Sequence, residues 1–338
     1  MTGSASDWIL RPRIYVENQR ARDRAYDVTE AMVREALERA SHGRIAPENL
    51  CVAMADARDE DAWSKAHVLI AGRLETARIR DMRSLRLVQC TSAGVENYLP
   101  LHWLPDGVSL CNASGVHAAK VAQFGAMACL MLHEGVPERV TAQKERAWRR
   151  DLRPTANGVR VLVYGAGALG GAVARALQPY GFRVSGVARH PGESRPGFSH
   201  ICGPDELMSV LGETDILVVS CPLTTETRGS IGRAQLEALP KGARILNIGR
   251  AAVMDYDALV DLLESGHLGG AILDVFDQEP LPSSSRLWDV RNLMVFPHVS
   301  ADDPTTYAAG CVEILAENMV ALLEGRRLRN RVDPLLGY

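Results

Sequence analysis

Residues 161–170 read Val161-Leu162-Val163-Tyr164-Gly165-Ala166-Gly167-Ala168-Leu169-Gly170, and this stretch decides the fold. Four apolar or aromatic residues lead into three glycines in G-x-G-x-x-G spacing, and Ala172, Val173, Ala176 and Leu177 then recur at helical spacing. That order describes a buried strand, a tight turn and the start of a helix. Gly165 permits the turn, Gly167 lets backbone approach a pyrophosphate, and Gly170 lets helix and strand pack closely. The first N–H groups of the helix and the positive end of its dipole then face the phosphates. The glycines alone are a weak signal, because a glycine-rich chain also makes ordinary turns. The strand before them and the helix after them point to a dinucleotide site.

Upstream of the turn, 13–17 reads as a short strand. Val28, Met32, Val33, Ala36, Leu37 and Ala40 follow at helical spacing, with Asp27 and Glu30 spaced as a capping box and Gly43 as the stop. Residues 50–55, 67–71, 85–90 and 108–112 read as further strands. A helix is expected over 118–133, then a polar, arginine-rich linker to the Asn157-Gly158 turn. Downstream, 182–187, 215–220, 243–248, 271–273 and 293–296 read as strands, 256–264 as a helix and 305–323 as a long amphipathic helix. Strands alternating with helices imply an α/β fold with doubly wound parallel sheets. The last helix can cross back onto the first domain. The expected division is therefore a discontinuous substrate domain, 1–118 plus 305–338, and a dinucleotide-binding domain, 119–304.

At 338 residues the chain is long enough for two ordinary domains. Its formal net charge of −3 gives no general attraction to nucleic acid or to anionic membrane. The cluster Arg146, Arg149, Arg150 and Arg153 reads as a solvated face. Seven cysteines, with no C-x-x-C spacing, argue against a disulfide framework and a zinc site and fit a reducing cytoplasm. Asp7, Arg11 and Arg13 interrupt the start of the chain, so no signal-peptide core is expected there, nor a membrane span elsewhere.

In open α/β sheets, ligands sit beyond the carboxyl ends of the strands. Arg250, Asp274 and His298 stand at such ends, and Glu279 follows Asp274 closely. Reduction of a 2-oxo acid needs a hydride from a nicotinamide, a proton for the carbonyl oxygen and a grip on the carboxylate. His298 suits the proton donor, since imidazole titrates near neutrality, and a carboxylate at Glu279 favours the imidazolium. Arg250 offers planar bidentate binding to a carboxylate. Asp274 can accept a hydrogen bond from the nicotinamide carboxamide.

With these residues in place, the chain resembles the D-isomer-specific 2-hydroxyacid dehydrogenases. The matching segments are Asp215-Ile-Leu-Val-Val-Ser-Cys-Pro-Leu-Thr224, Leu246-Asn-Ile-Gly-Arg250, Leu273-Asp-Val-Phe276, Gln278-Glu-Pro-Leu-Pro282 and Phe296-Pro-His-Val-Ser-Ala301. The resemblance implies two Rossmann-like doubly wound domains with an active-site cleft between them, a homodimer, and Arg250, Glu279 and His298 as the catalytic trio. It also implies substrate binding by Arg250 and by the backbone N–H groups of Ala93 and Gly94. Cofactor contacts are expected from Gly165, Gly167, Ala168, Leu169, Gly170, Arg189, Cys221, Pro222, Ile248, Gly249, Asp274 and Ser300, with no metal. The segment from Arg331 to Tyr338 looks most like the glyoxylate/hydroxypyruvate reductase branch.

One departure bears on the cofactor. NAD-using members carry an Asp at the end of the second strand, roughly twenty residues past the glycines, to bind the ribose 2′-OH. Here that position is Ala188, followed by Arg189. An arginine pairs with a 2′-phosphate that a carboxylate would repel, so NADP is expected over NAD. Ala251 and Tyr164 also depart from common family residues. The alternatives are a dinucleotide-sensing protein resembling the corepressors called C-terminal binding proteins, or a member acting on another 2-hydroxy acid. Substrate choice is expected to rest on loops near 55–63, Gly72-Arg73 and Trp103.

Overall fold

A computed structural model of the chain describes residues 7–20, 23–192 and 194–333. The last five residues of the segment 331–338, part of the resemblance to one reductase branch, lie outside these. The chain divides into two compact units, Met1–Val116 with Asp303–Tyr338, and His117–Asp302. Both are α/β units built on a wholly parallel sheet, as the alternation of strands and helices requires.

The first unit runs α1 (Asp7–Leu10), β1 (Arg13–Asn18), α2 (Glu30–Ser41), β2 (Asn49–Met54), α3 (Glu60–Lys65), β3 (Val68–Ala71), β4 (Leu87–Cys90) and β5 (Ser109–Cys111), and is completed by the C-terminal helix Tyr307–Leu323. Its strand order is β2-β1-β3-β4-β5. The strand order reverses at β1, so the carboxyl ends of β1 and β3 form this unit's switch point. Strand side chains pack alternately on two faces, which gives the near-continuous apolar runs of a sheet covered on both sides. Val33 and Leu37 of α2 meet Leu315 and Met319 of the C-terminal helix over Ile14, Val16 and Ile70. Trp63, Ile79 and Met82 cover Tyr15, Leu69 and Val88 on the other face.

Two local expectations are corrected. The cap of α2 is Thr29, whose hydroxyl accepts from Met32 N at 3.3 Å, and not Asp27. The reason is Asn18, whose side chain takes both backbone groups of Val28, at 3.0 Å each, before the helix can begin. The arginine-rich linker contains a helix, described below as α5. Pro137 stands in its first turn, where a missing N–H costs nothing. Glu138 anchors it through Arg244 at 2.9 Å.

The second unit runs α4 (Ala118–His133), α5 (Val136–Lys144), β6 (Arg160–Tyr164), α6 (Ala168–Leu177), β7 (Arg183–Val187), β8 (His200–Cys202), α7 (Leu207–Leu211), β9 (Ile216–Val219), α8 (Arg233–Glu237), β10 (Arg244–Asn247), α9 (Tyr256–Glu264), β11 (Gly270–Leu273) and β12 (Leu293–Val295). Its strand order is β12-β11-β10-β9-β6-β7-β8. From β6 the chain lays strands to one side, then returns and lays the rest on the other. The switch point is therefore the crevice between β6 and β9, where the glycine turn leaves β6.

Sterics hold that turn. Gly165 has φ 109°, and its N–H and that of Ala166 both donate to Val187 O at 3.0 Å. A Cβ on Gly165 would lie 2.5 Å from Cys221 N, and one on Gly170 would lie 2.3 Å from Gly165 O. A Cβ on Gly167 would meet nothing within 4 Å. Among the described residues no helix is long and apolar enough to cross a membrane.

These contacts separate packing glycines from an open one. Gly170→Ala should lower unfolding stability by about 1–3 kcal/mol, the usual cost of overpacking, while Gly167→Ala should stay within about 0.5 kcal/mol. Urea unfolding of the two variants checks this. Equal losses would contradict it.

Candidate active site

The carboxyl edge of the seven-stranded sheet collects most of the residues singled out from the sequence. Gly165 to Gly170 follow β6, Arg189 follows β7, Cys221 and Pro222 follow β9, and Ile248, Gly249 and Arg250 follow β10. Asp274 directly follows β11 and leads toward Glu279, while His298 and Ser300 follow β12. Six strands thus deliver these groups to one edge of one unit.

His298 and Glu279 are in direct contact, with Nδ1 and Oε2 2.7 Å apart. An ionised carboxylate only accepts, so Nδ1 carries the hydrogen and Nε2 is the ring atom left for chemistry. Glu279 is fixed by its other oxygen, Oε1, which accepts from Phe276 N at 2.9 Å. The two side chains are 44% and 36% exposed, so the pair stands at the surface of its unit. His298 itself adopts φ 54°, in the left-handed region.

Asp274 holds this backbone in place. It is fully buried, and its two oxygens accept from Val299 N at 2.9 Å and Ser300 N at 3.0 Å. Burial pushes its carboxyl up, against the hydrogen bonds from Ser300 and Val299 that favour the ionised form. The structure thus adds a task to the carboxamide contact expected of Asp274.

Arg250 is positioned by a residue that the sequence reading did not single out. Asn247, fully buried at the end of β10, accepts from Gly249 N at 3.0 Å and donates to Arg250 O at 3.3 Å. It also donates to the hydroxyl of Tyr256 at 3.0 Å, and Tyr256 donates to Val275 O at 2.8 Å. Burial pushes the Tyr256 phenol up, so it stays a neutral donor. This chain of bonds ties the end of β10 to the end of β11. Its signal was an amide at the end of the apolar run Ile245-Leu246, and an amide buried there must find partners.

The glycine turn fits a dinucleotide. Gly167 caps α6 with no side-chain bond to the helix N–H groups, and the space beside its Cα is open. A phosphate there would satisfy those donors and meet the positive end of the helix dipole. Ala188 leaves the ribose side of the turn without a carboxylate of its own. Arg189 Nη2 lies 3.9 Å from Glu226 Oε2, a loose surface pair that contributes little. Among the described residues no group of three His, Cys, Asp or Glu could hold a metal ion.

In the first unit, Ala93 and Gly94 follow β4. Ser92 Oγ donates to Gly94 O at 2.8 Å, and among the described residues neither Ala93 N–H nor Gly94 N–H has a hydrogen-bond partner. The loop 55–63 carries a buried ion pair that the sequence reading missed, Arg58 with Glu17 at 2.6 Å, and the guanidinium stacks 4.1 Å over Trp63. Trp63 itself is core, and Trp103 donates to Tyr98 O at 2.7 Å.

Comparisons with known proteins give the family. Residues 126–300 match the family model described as "D-isomer specific 2-hydroxyacid dehydrogenase, NAD binding domain". The chain is 33% identical over 289 residues to glyoxylate/hydroxypyruvate reductase B of Erwinia tasmaniensis, covering 82% of this chain and 88% of that one. A D-isomer specific 2-hydroxyacid dehydrogenase of Xanthobacter autotrophicus Py2, solved with NADPH and MES, superposes with a TM-score of 0.80 at 30% identity, covering 97% of this chain and all of that one. An NADPH-dependent glyoxylate/hydroxypyruvate reductase of Sinorhizobium meliloti, solved with NADP and sulfate, gives 0.76 at 27% identity, covering 96% and 99%. With a dinucleotide turn at the switch point and Arg250, Glu279 and His298 on the same sheet edge, the chain belongs to the D-isomer specific 2-hydroxyacid dehydrogenase family, the NAD(P)-dependent oxidoreductases of 2-hydroxy acids.

Proposed function

We propose that the chain reduces a small 2-oxo acid, of the glyoxylate or hydroxypyruvate kind, to the D-2-hydroxy acid with NADPH. The 2.7 Å bond between His298 and Glu279 at the sheet edge carries this reading. The nicotinamide supplies the hydride when bound. His298 delivers the proton from Nε2 to the carbonyl oxygen. Glu279 holds the ring through Nδ1 and offsets the charge it carries when protonated.

Arg250 grips the substrate carboxylate and polarises the carbonyl, and the amides of Ala93 and Gly94 are further carboxylate donors. The glycine turn, Cys221, Pro222, Ile248, Gly249, Asp274 and Ser300 serve the cofactor. Ala188 and Arg189 favour a 2′-phosphate over a free 2′-OH. The activities named for the Erwinia and Sinorhizobium relatives support the substrate class, and the nucleotides in the matched structures support NADP. A homodimer belongs to this reading, and Trp148, 95% exposed, and Leu152, 74% exposed, are apolar surface for a second copy to cover.

A panel of 2-oxo acids with NADPH and NADH tests the reading. Glyoxylate and hydroxypyruvate should be reduced with the highest kcat/KM, and NADPH should exceed NADH by about 10-fold or more, the worth of one charge-assisted phosphate contact. A wide preference for a bulky branched or aromatic 2-oxo acid, or equal use of both cofactors, would contradict it.

Removal of the proton donor tests the chemistry. His298→Ala should lower kcat for reduction by about 10²–10⁴-fold with NADPH affinity nearly unchanged. Because Glu279 acts through His298, the double variant with Glu279→Gln should be no slower than His298→Ala alone. Additive losses in steady-state kinetics would separate the two residues.

A further inference from the structure

Tyr164 is the last residue of β6, directly before Gly165, and it is buried in one core cluster with Val219, Cys221 and Ile231. An aliphatic side chain would fill such a place without a polar atom, whereas a buried phenol must find a partner. Its hydroxyl donates to Ser230 Oγ at 2.9 Å, and Ser230 Oγ donates to Thr227 O at 2.8 Å. Thr227 Oγ1 donates in turn to Pro222 O at 2.7 Å and accepts from Thr224 N at 2.7 Å. Pro222 follows Cys221, the residue whose backbone leaves no room for a Cβ on Gly165. The bonds therefore close a ring. It runs from the end of β6 through the Tyr164 side chain to the loop 222–230 after β9, and back along that loop to the glycine turn. Burial pushes the Tyr164 phenol up, so it stays a neutral donor.

We infer that Tyr164 is a positioning residue for the cofactor, its hydroxyl holding the loop 222–230 in the shape that receives a dinucleotide beside the glycine turn. The inference rests on the proposed assignment of Pro222 to the cofactor and names a residue that assignment does not use. The loop needs such a hold, because Pro222, Thr225, Glu226, Arg228 and Gly229 are all exposed, and a segment with few buried contacts opens readily. Its far end is fixed to the chain after β10, where Gly229 N donates to Ala252 O at 2.8 Å and Ile231 N to Val253 O at 3.0 Å. The Tyr164 hydroxyl supplies the tie to β6, on the other side of the switch-point crevice. A loop already held in its binding shape spares the cofactor the cost of ordering it.

Tyr164→Phe removes the hydroxyl and keeps the ring, so it tests the tie without opening a cavity. NADPH affinity of the full chain, titrated by fluorescence, should weaken by about 3- to 10-fold, the worth of one neutral hydrogen bond, while kcat at saturating NADPH falls by less than about 2-fold. Ser230→Ala removes the acceptor, and the double variant should bind NADPH no more weakly than Ser230→Ala alone, since the two hydroxyls act as a pair. Hydrogen exchange over 223–230 reads the loop itself, and without NADPH it should be faster in Tyr164→Phe than in the wild type. Unchanged NADPH affinity in Tyr164→Phe, with only a loss of stability to urea, would make the bond a core contact and overturn the inference, as would additive losses in the double variant. NADPH should also slow exchange over 223–230 in the wild type. Failure to do so would overturn the assignment of this loop to the cofactor, an outcome visible before any substitution is made.

Discussion

A single buried carboxylate organises the proposed catalytic edge. Asp274, directly after β11, lies fully out of solvent, and its two oxygens accept from the backbone N–H groups of Val299 and Ser300. A buried carboxylate without partners would be strongly unfavourable. Hydrogen bonds to a charged acceptor are worth about 1.5–3 kcal/mol each, and two of them exceed the roughly 1–2 kcal/mol that a left-handed residue costs. The balance lets His298 hold φ 54° and directs its ring to Glu279. The chain leaving β12 is thus held from below by Asp274 and from the side by Glu279, and both carboxylates come from the loop after β11.

The same economy appears at the neighbouring strands. Asn247 braces the backbone of Gly249 and Arg250, and Tyr256 carries that brace to Val275, next to Asp274. The glycine turn is held against Cys221 by contacts that leave no room for a Cβ at Gly165. β6, β9, β10 and β11 therefore present their ends as one connected edge. In the proposed mechanism, rigidity of this kind keeps His298 and Arg250 in register without further reorganisation.

Much of this was legible in the sequence because parallel strands buried on both faces leave unbroken apolar runs. β6, β9, β10 and β11 fall within a residue or two of where the apolar runs placed them, and α4 and α9 run over the ranges read from their periodicity. Arg250, Glu279 and His298 stood out as polar residues at or near strand ends, and the structure brings Glu279 and His298 together. What escaped depends on partners distant in sequence. β8 has three residues and only β7 beside it, too short for a pattern. Asn18, twelve residues before Glu30, moved the start of α2 past Asp27 by occupying Val28. Asn247 and Tyr256 act through bonds to backbone groups, and a backbone carbonyl has no letter in a sequence. Glu17 and Arg58 form a buried pair only because the turn after β2 brings position 58 beside β1.

Asp274 is the residue on which the placement of the proposed acid, His298, depends. Single-turnover reduction of glyoxylate by prebound NADPH, compared between wild type and Asp274→Asn, tests it most directly. An amide cannot accept two backbone N–H groups as the carboxylate does, so His298 should lose its placement. The rate of the chemical step should fall by about 10²-fold or more, since misplacement by about 1 Å costs that much. NADPH affinity, measured in the same samples by fluorescence, should fall far less. An unchanged chemical step, or a loss accounted for entirely by weaker NADPH binding, would contradict the account.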